Sequence, residues 1–124
     1  MGYDTVIKLG TVILGGSGQN TVTGLSKGEV EATAKSIING VVILTVVPGK
    51  GLETRIEIRG VLQGANRDSD RSTLNTYHQG NVRRYDDGIT SGDFVMETGS
   101  LRFDDINTES RTRYLYSMVL REWP

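Results

Sequence analysis

The sequence predicts a single, mainly β domain (β-rich α+β) over residues 1–124. The expected architecture is an antiparallel split barrel or sandwich of about six strands, with one flanking helix and a second short helix. Three observations lead to this prediction. The 124 residues suffice for one domain with its own core. Sixteen glycines against two prolines are typical of strands joined by tight turns. Runs of β-branched residues end at turn residues.

Residues 3–23 are predicted to contain two strands and a flexible loop. β-branched residues dominate 3–14, which indicates a strand. The glycine-rich run 15–20 indicates a loop. Residues 21–23 are β-prone and are interpreted as a short edge strand.

The strongest helix signal lies over residues 26–39. Ser26 and Glu29 have the spacing of a capping box, in which each side chain bonds the backbone N–H of the other residue. Asn39-Gly40 provides a stop signal. Apolar residues recur at helical spacing between these ends. We therefore expect a helix here that covers one opening of the barrel.

Residues 41–62 are predicted to form a long hairpin. The segment 41–47 is apolar on both faces, which indicates a central, fully buried strand. Residues 48–51, Pro-Gly-Lys-Gly, indicate a turn. Apolar and charged residues alternate over 53–62, so this strand should have one buried and one exposed face. The exposed face alternates in charge and carries Glu53, Arg55, Glu57 and Arg59.

A second, short helix is predicted over 68–79. Leu74 and Tyr77 share its inward face. Asp68 or Ser69 is its expected N-cap, because short polar side chains can bond the free N–H groups of a first turn.

Three strands are predicted in the last third of the chain, over 82–85, 93–103 and 112–122. The apolar phase shifts at Gly99, which indicates a β-bulge in the second of them. A polar loop over 104–110 precedes the last strand. The apolar face of the last strand carries Tyr114, Tyr116, Met118 and Leu120.

Charge and composition exclude several classes of function. Fourteen basic and fifteen acidic residues give a net charge of −1, so no overall field attracts nucleic acid or an anionic membrane. No apolar run approaches the length of a membrane span. The absence of cysteine excludes disulfides, thiolate nucleophiles and most structural zinc sites.

No residue pattern predicts a catalytic, metal or cofactor site. The single histidine, His78, is interpreted as a partly exposed polar residue at a helix end. Asp68 and Asp70 have calcium-loop spacing, but Ser72 and Thr73 stand where that loop needs another ligand and a glycine. Neither glycine-rich turn leads through Gly-Lys-Ser or Gly-Lys-Thr into a helix, as a phosphate loop does. The sequence therefore predicts a protein with no enzymatic activity, metal or cofactor.

Three other classes of function stay open on residues alone. Basic clusters at 83–84 and 111–113 lie near tyrosines, a combination that suits single-stranded nucleic acid on a barrel face. However, Tyr114 and Tyr116 share an apolar face, which favours a core. A barrel can also hold a small ligand in its mouth, although large residues such as Phe94 are expected to fill it. A hydrolase is the third open class, although Gly15-Gly16-Ser17-Gly18 is out of register for a Gly-x-Ser-x-Gly elbow.

Over residues 41–123, several short motifs follow one another in an order that resembles small tail and baseplate proteins of tailed phages and related contractile injection machines. Each motif is short, and the resemblance rests on their order. In sequence they are Pro48-Gly49-Lys50-Gly51, Thr54-Arg55-Ile56-Glu57-Ile58-Arg59-Gly60-Val61-Leu62-Gln63-Gly64, Asp70-Arg71 with Leu74, Asp86-Asp87-Gly88, Gly92-Asp93-Phe94-Val95-Met96, and Arg113-Tyr114-Leu115-Tyr116-Ser117-Met118-Val119-Leu120-Arg121-Glu122-Trp123.

The resemblance implies a structural virion protein, made in the host cytoplasm and located in the tail. It implies a split β-barrel that forms rings, commonly six-fold, stacked on other tail or baseplate proteins. The implied partners are copies of the chain itself and neighbouring tail proteins, without nucleic acid or membrane. On this interpretation the two loops and the charged strand face lie at subunit interfaces. The residues concerned are Gly15, Gly16, Ser17, Gly18, Glu53, Arg55, Glu57, Arg59, Asp104 and Asp105.

Overall fold

A computed structural model describes residues 6–16, 19–107 and 112–123. Within these residues ten strands and one helix occur, so the fold is mainly β as predicted, with more strands and fewer helices than expected. The elements are β1 (Ile7–Leu9), β2 (Val12–Gly15), β3 (Thr21–Glu31), β4 (Thr33–Ile38), β5 (Val41–Val46), β6 (Leu52–Leu62), α1 (Arg67–Tyr77), β7 (Arg83–Asp86), β8 (Ser91–Met96), β9 (Arg102–Asn107) and β10 (Thr112–Glu122).

Eight strands form one antiparallel sheet in the order β2-β1-β7-β8-β10-β6-β3, and β9 pairs with β10 beside β8. The sheet curls until its end strands approach each other. A Cβ atom on Gly15 in β2 would lie only 3.0 Å from Val22 Cγ2 in β3. Asn20 donates a 2.9 Å hydrogen bond to the Ile13 carbonyl in the same region. No ladder joins β2 to β3 in the described ranges, so the sheet is open at this seam.

The core fills the inside of the curled sheet. Ile56 and Ile58 of β6, and Tyr116 and Met118 of β10, are all buried, which confirms the predicted inward faces of both strands. Burial of an aliphatic side chain contributes about 1.5–3 kcal/mol, so these two strands form the stable centre of the fold. The other core residues are Ile7, Leu9, Val12, Leu14, Val22, Leu62, Leu74, Tyr77, Tyr85, Phe94, Met96 and Leu120.

Helix α1 packs against β2 and β6 with Leu74 and Tyr77 buried, as predicted. The Tyr77 hydroxyl lies 3.2 Å from both the backbone nitrogen and Oγ1 of Thr11, which ties the helix to the first hairpin. The helix begins after Asn66, and no side chain caps it. The predicted cap at 68–69 is therefore wrong. No helix of the described residues is long and apolar enough to cross a membrane.

The predicted strand over 3–14 is two strands. β1 and β2 pair as a hairpin, and Gly10 turns the chain with a φ of +58°. Only glycine fits there, because a Cβ atom would lie 2.5 Å from the Tyr77 hydroxyl. Residues 3–5 lie outside the described residues.

The predicted helix over 26–39 is wrong. These residues belong to β3 and β4, which pair with β6 and β5 respectively. Asn39 and Gly40 have φ values of +52° and +78°, the backbone that a type I′ hairpin turn requires. The Ser26–Glu29 spacing has no capping role, because both residues lie in β3. The edge strand predicted at 21–23 is correctly placed but is eleven residues long.

Residues 41–46 form a strand, as predicted for 41–47, but the predicted full burial of this strand is wrong. Val42 is buried, but Val41 is 45% exposed and Ile43 40%. Among the described strands β5 pairs with β4 alone, while β6 pairs with β3 and β10, so the predicted hairpin between 41–47 and 53–62 does not form. The turn at 48–51 is confirmed, since Lys50 N donates to the Val47 carbonyl.

The predicted bulge at Gly99 is a larger loop. β8 and β9 lie along the same side of β10, and residues 97–101 leave the sheet between them. The polar loop predicted over 104–110 is wrong as far as residue 107, because β9 extends to Asn107, and 108–110 lie outside the described residues. β10 has the predicted bounds, and β7 is displaced by one residue.

Candidate assembly surface

The β4–β5 hairpin is a two-stranded sheet separate from the main one. Its register runs from Thr33↔Val46 at the base to Ile38↔Val41 at the tip. Opposite residues of an antiparallel pair lie on the same face, and successive residues alternate. One face turns toward the rest of the chain at Thr33 and Val42, which are buried, while Ile37 and Val46 of the same face are 37% and 52% exposed. The other is called the hairpin face, and it carries Ala34, Ser36, Ile38, Val41, Ile43 and Thr45.

The hairpin face is exposed and uncharged. All six of its residues are exposed, Ile38 by 54%. The single charged residue of β4 and β5 is Lys35, which lies on the opposite face with its side chain fully buried. The hairpin therefore differs from an ordinary surface strand, because its exposed side chains include aliphatic ones and its one charged side chain is buried. Such a face beside an open strand edge favours association with another protein.

Exposed apolar side chains are concentrated around this hairpin. Single exposed aliphatic residues are ordinary on any protein surface, but clusters mark contact sites. Seven of the eleven large apolar side chains that are exposed in the described residues lie within 37–52, namely Ile37, Ile38, Val41, Ile43, Val46, Val47 and Leu52.

Glu53 holds the base of the hairpin on the main sheet. Its Oε1 accepts hydrogen bonds from Thr33 N at 2.6 Å, Thr33 Oγ1 at 2.9 Å and Lys35 Nζ at 2.8 Å. Its Oε2 accepts from Arg121 Nε at 2.8 Å. Burial alone would raise the pKa of Glu53, but these donors outweigh it and lower the pKa to about 2. The carboxylate is therefore ionised at neutral pH and compensated by two cations.

The ion pairs continue from Glu53 across the outer side of the sheet. Arg121 also contacts Glu97 at 3.2 Å, and Glu97 contacts Arg55 at 3.2 Å. Arg55 in turn pairs with Glu57 at 2.9 Å. Burial would lower the pKa of the Arg55 guanidinium, but its two carboxylate partners raise it. Positive and negative charges alternate along this chain of contacts, so each buried charge has a partner.

The tip of the hairpin contacts the 97–101 loop and the end of α1. Val42 N donates to Thr98 Oγ1 at 2.8 Å. Gly40 lies beside the Gln79 backbone, since a Cβ atom on this glycine would be 3.4 Å from the Gln79 carbonyl oxygen. His78 Nε2 accepts a hydrogen bond from Gly99 N at 2.9 Å. These contacts fix the direction in which the hairpin face points.

A second ionic contact ties the edge strand β3 to the turn between β7 and β8. Lys27 Nζ lies 2.5 Å from Asp87 Oδ2, and the buried Tyr85 hydroxyl donates to the same oxygen at 2.9 Å. Burial would raise the pKa of Asp87, but Lys27 and the N–H groups of Thr90 and Ile89 lower it to about 2. Asp87 therefore links β3 to the turn between β7 and β8.

The residues predicted to form interfaces have separate positions in the structure. Glu53 is buried, so its predicted exposure is wrong, and its charge is used within the chain. Arg55 is half-buried, whereas Glu57 and Arg59 are exposed. Asp104 is exposed without an ion pair in the described residues, while Asp105 pairs with Arg71 at 2.6 Å. Gly15 ends β2 and Gly16 follows it, and Ser17 and Gly18 lie outside the described residues.

The histidine and aspartates considered as ligands are also accounted for. His78 is the partly exposed C-terminal cap of α1, as predicted. Asp68 accepts a hydrogen bond from the Tyr114 hydroxyl, and Asp70 accepts one from Asn20 at 2.9 Å. In the described ranges, no group of three or more histidine or acidic residues is placed to hold a metal ion.

Sequence reasoning missed the hairpin face, although a signal for it was present. Asn39-Gly40 stands between Ile37-Ile38 and Val41-Val42. Asn-Gly flanked by β-branched residues is the strongest short-range hairpin signal. Once the hairpin is recognised, the pairing of Ile38 with Val41 follows, and with it the apolar outer face.

Comparisons with known proteins identify the fold. No family model matches the sequence, and no curated protein matches it. One solved structure with the same fold is a chain of the "Virion of native gene transfer agent (GTA) particle", with a TM-score of 0.54 and 16% identity, covering 100% of this chain and 94% of that one. A chain from the "Tail of empty GTA particle computed with helical refinement, C6 symmetry" has a TM-score of 0.45 and 17% identity, with the same coverage. This chain therefore shares its fold with a protein of a gene transfer agent virion.

Proposed function

We propose that this chain is a structural subunit of a phage-type tail, where it contacts copies of itself and neighbouring tail proteins. Two observations support this proposal. The fold it shares with a chain of a gene transfer agent virion extends over the whole sequence. The order of motifs over 41–123 independently resembles tail and baseplate proteins.

The hairpin face is the observation that carries the proposal. An uncharged face with Ile38, Val41 and Ile43 exposed promotes aggregation of an isolated protein. In an assembly, the same face can be buried against a neighbouring subunit. Six side chains are too few for a stable interface, which takes about 20–30 residues a side. The contact must therefore include neighbouring surface, and the free edge of β3 offers backbone groups for pairing with another strand.

In the proposed assembly, copies form a ring that stacks coaxially on other tail proteins. We favour six copies, in keeping with the resemblance to tail proteins. The 15–20 loop and the 104–110 segment are proposed to contact adjacent subunits or rings. The exposed charges of Glu57 and Arg59, together with the half-buried Arg55, would set the register of such contacts more than their affinity.

The proposed role needs no catalysis, metal or cofactor. The buried and charged groups described above are used to hold the fold: Glu53 and Asp87 each accept from a cation, and the Tyr85 hydroxyl donates to Asp87. Tyr85 and Phe94 meet edge to face inside the sheet, with ring centroids 5.6 Å apart. Both rings are buried in the interior that a ligand-binding barrel would keep open.

Electron microscopy of the native particle tests the proposal directly. We expect this chain in rings around the tail axis, with the hairpin face covered by a neighbouring subunit. Its absence from any tail or injection-like particle, or its presence as scattered single copies, would refute the proposal.

A set of variants tests the contribution of the hairpin face. Ile38→Ser combined with Val41→Ser and Ile43→Ser should prevent incorporation into tails while the isolated chain stays folded. Val6→Ser combined with Ile13→Ser is the matched control, because it removes exposed aliphatic groups from β2 and the residue preceding β1. Incorporation of both variants at the level of the unmodified chain would show that the hairpin face is not a contact.

A further inference from the structure

Two arginines lie in one row across the outer side of the sheet. Ser117 of β10 pairs with Arg59 of β6 on one side and with Arg102 of β9 on the other. Neighbouring strands are about 4.8 Å apart, so the backbones of the two arginines are separated by about 10 Å. Both side chains are exposed and extend from the same face.

Like Arg83 and Arg84 of β7, these arginines have no anionic partner among the described residues, whereas other arginines of the chain do. Arg55 and Arg121 pair with carboxylates, and Arg71 pairs with Asp105. Neither Arg59 nor Arg102 makes an ion pair within the described residues.

The two arginines flank an open depression of about 620 Å³. Leu115, which is 38% exposed, and Ser117 form part of its floor. Asp104 also lines it, so the site carries two positive charges and one negative charge. An acidic segment would match the net charge of this site.

Two acidic residues on β3 have the corresponding arrangement. Glu29 and Glu31 lie two residues apart, on the same face of the strand and about 7 Å from each other. Val30, between them, lies on the opposite face of the strand. Both carboxylates are exposed and make no ion pair or hydrogen bond among the described residues.

The arginine pair and the glutamate pair cannot contact each other within one chain. Arg59 pairs with Gly24 of β3, and Glu29 lies five residues further along this strand, about 17 Å away. Glu29 lies opposite Thr54 in the β3–β6 ladder, so its side chain is on the same face of the sheet as the buried Ile56 and Ile58. Arg59 is on the other, outward face. A contact between the arginine pair and the glutamate pair can therefore form only between two molecules.

We infer that Glu29 and Glu31 on β3 of one copy bind Arg59 and Arg102 of the next copy. The contact is heterologous, because an acidic strand edge on one molecule meets a basic depression on the other, and such contacts close into rings when the rotation permits. The inference rests on the proposed function in taking a second copy as the partner, and it assigns the residues of that contact.

Reciprocal charge reversal tests this contact. One variant carries Arg59→Glu and Arg102→Glu, and the other carries Glu29→Arg and Glu31→Arg. Sedimentation at high protein concentration and low ionic strength measures association of the isolated chains. Each variant alone should associate at least about tenfold more weakly than the unmodified chain, because like charges then face each other. An equimolar mixture should regain association, because both kinds of contact are again complementary.

A matched control carries Lys8→Glu and Arg84→Glu, which reverse two exposed cations on β1 and β7. It should associate like the unmodified chain, and thermal melts should show that all variants are folded. No rescue in the mixture, or no association of the unmodified chain, would overturn the inference. Incorporation of the chain into tails is scored separately. If the chain occurs in tails but the mixture shows no rescue, only this contact is contradicted. If the mixture shows rescue but the chain occurs in no tail, only the proposed function is contradicted.

Discussion

Strand β6 and the β4–β5 hairpin are built from similar residues and use them in opposite ways. In β6, Ile56 and Ile58 are buried while Glu57 and Arg59 face solvent. In the hairpin, the aliphatic residues Ile38, Val41 and Ile43 are outside, and the charge of Lys35 is inside against Glu53.

This difference shows that β6 stabilises the fold, whereas the outer face of the hairpin is suited to contact another protein. β6 gains its stability from apolar burial in the shared core. The hairpin buries less aliphatic surface, so it depends on its turn, its own ladder and the ion pairs of Glu53. Its outer face contributes little to folding and is available for another protein.

The largest expected contrast comes from placing the same charge in both regions. Ile58→Asp should destabilise the fold by about 4 kcal/mol or more, because it buries an unpaired carboxylate in the core. Ile38→Asp should change the free energy of unfolding by less than about 1 kcal/mol, because its side chain is in solvent. Urea unfolding of both variants measures the contrast, and equal losses would contradict the assigned faces.

Removing the charge at the hairpin base should have the next largest effect. Glu53→Gln leaves Lys35 and Arg121 without their shared carboxylate and should cost about 3 kcal/mol. Glu57→Gln, on the exposed side of the same strand, should cost less than about 0.5 kcal/mol. If the two variants unfold at the same denaturant concentration, Glu53 does not anchor the hairpin.

The same carboxylate predicts how stability depends on pH. Its pKa falls from 4.5 to about 2 on folding, so the unfolded chain binds the proton more tightly. The stabilisation is present above pH 4.5 and is lost as pH falls toward 2. Between neutral pH and pH 3, Glu53 alone should account for a loss of about 2 kcal/mol. The unmodified chain should therefore lose more stability over this range than Glu53→Gln, and parallel pH profiles would contradict the assigned pKa.

The smallest effect concerns the turn that creates the hairpin. Gly40→Ala should cost about 1 kcal/mol, because alanine is strained at a φ of +78°. Gly28→Ala is the control, since it lies in β3 with an ordinary φ and no atom within 4 Å of a Cβ atom. Thermal melts should show the larger loss for Gly40→Ala.

The regions also differ in how far their sequences determine them. β6 and β10 were predictable because alternation of apolar and polar residues matches a strand with one buried face. The strands over residues 26–39 were not predictable, because Ser26, Glu29 and the apolar spacing fit a helix locally. Pairing with β6 and β5 makes these residues strands instead. The burial of Glu53 could not be predicted either, since its partners Lys35 and Arg121 are distant in sequence.

The central claim is that the hairpin face is covered in the assembled particle. Because the chain has no cysteine, Ile38→Cys introduces a single thiol on that face, and Lys8→Cys provides an exposed control on β1. Maleimide labelling should be rapid for both variants as isolated chains. In assembled tails, we expect Ile38→Cys to react at least about tenfold more slowly, because contacts at an interface exclude solvent. Labelling of Ile38→Cys at the same rate in tails and in the isolated chain would contradict the account.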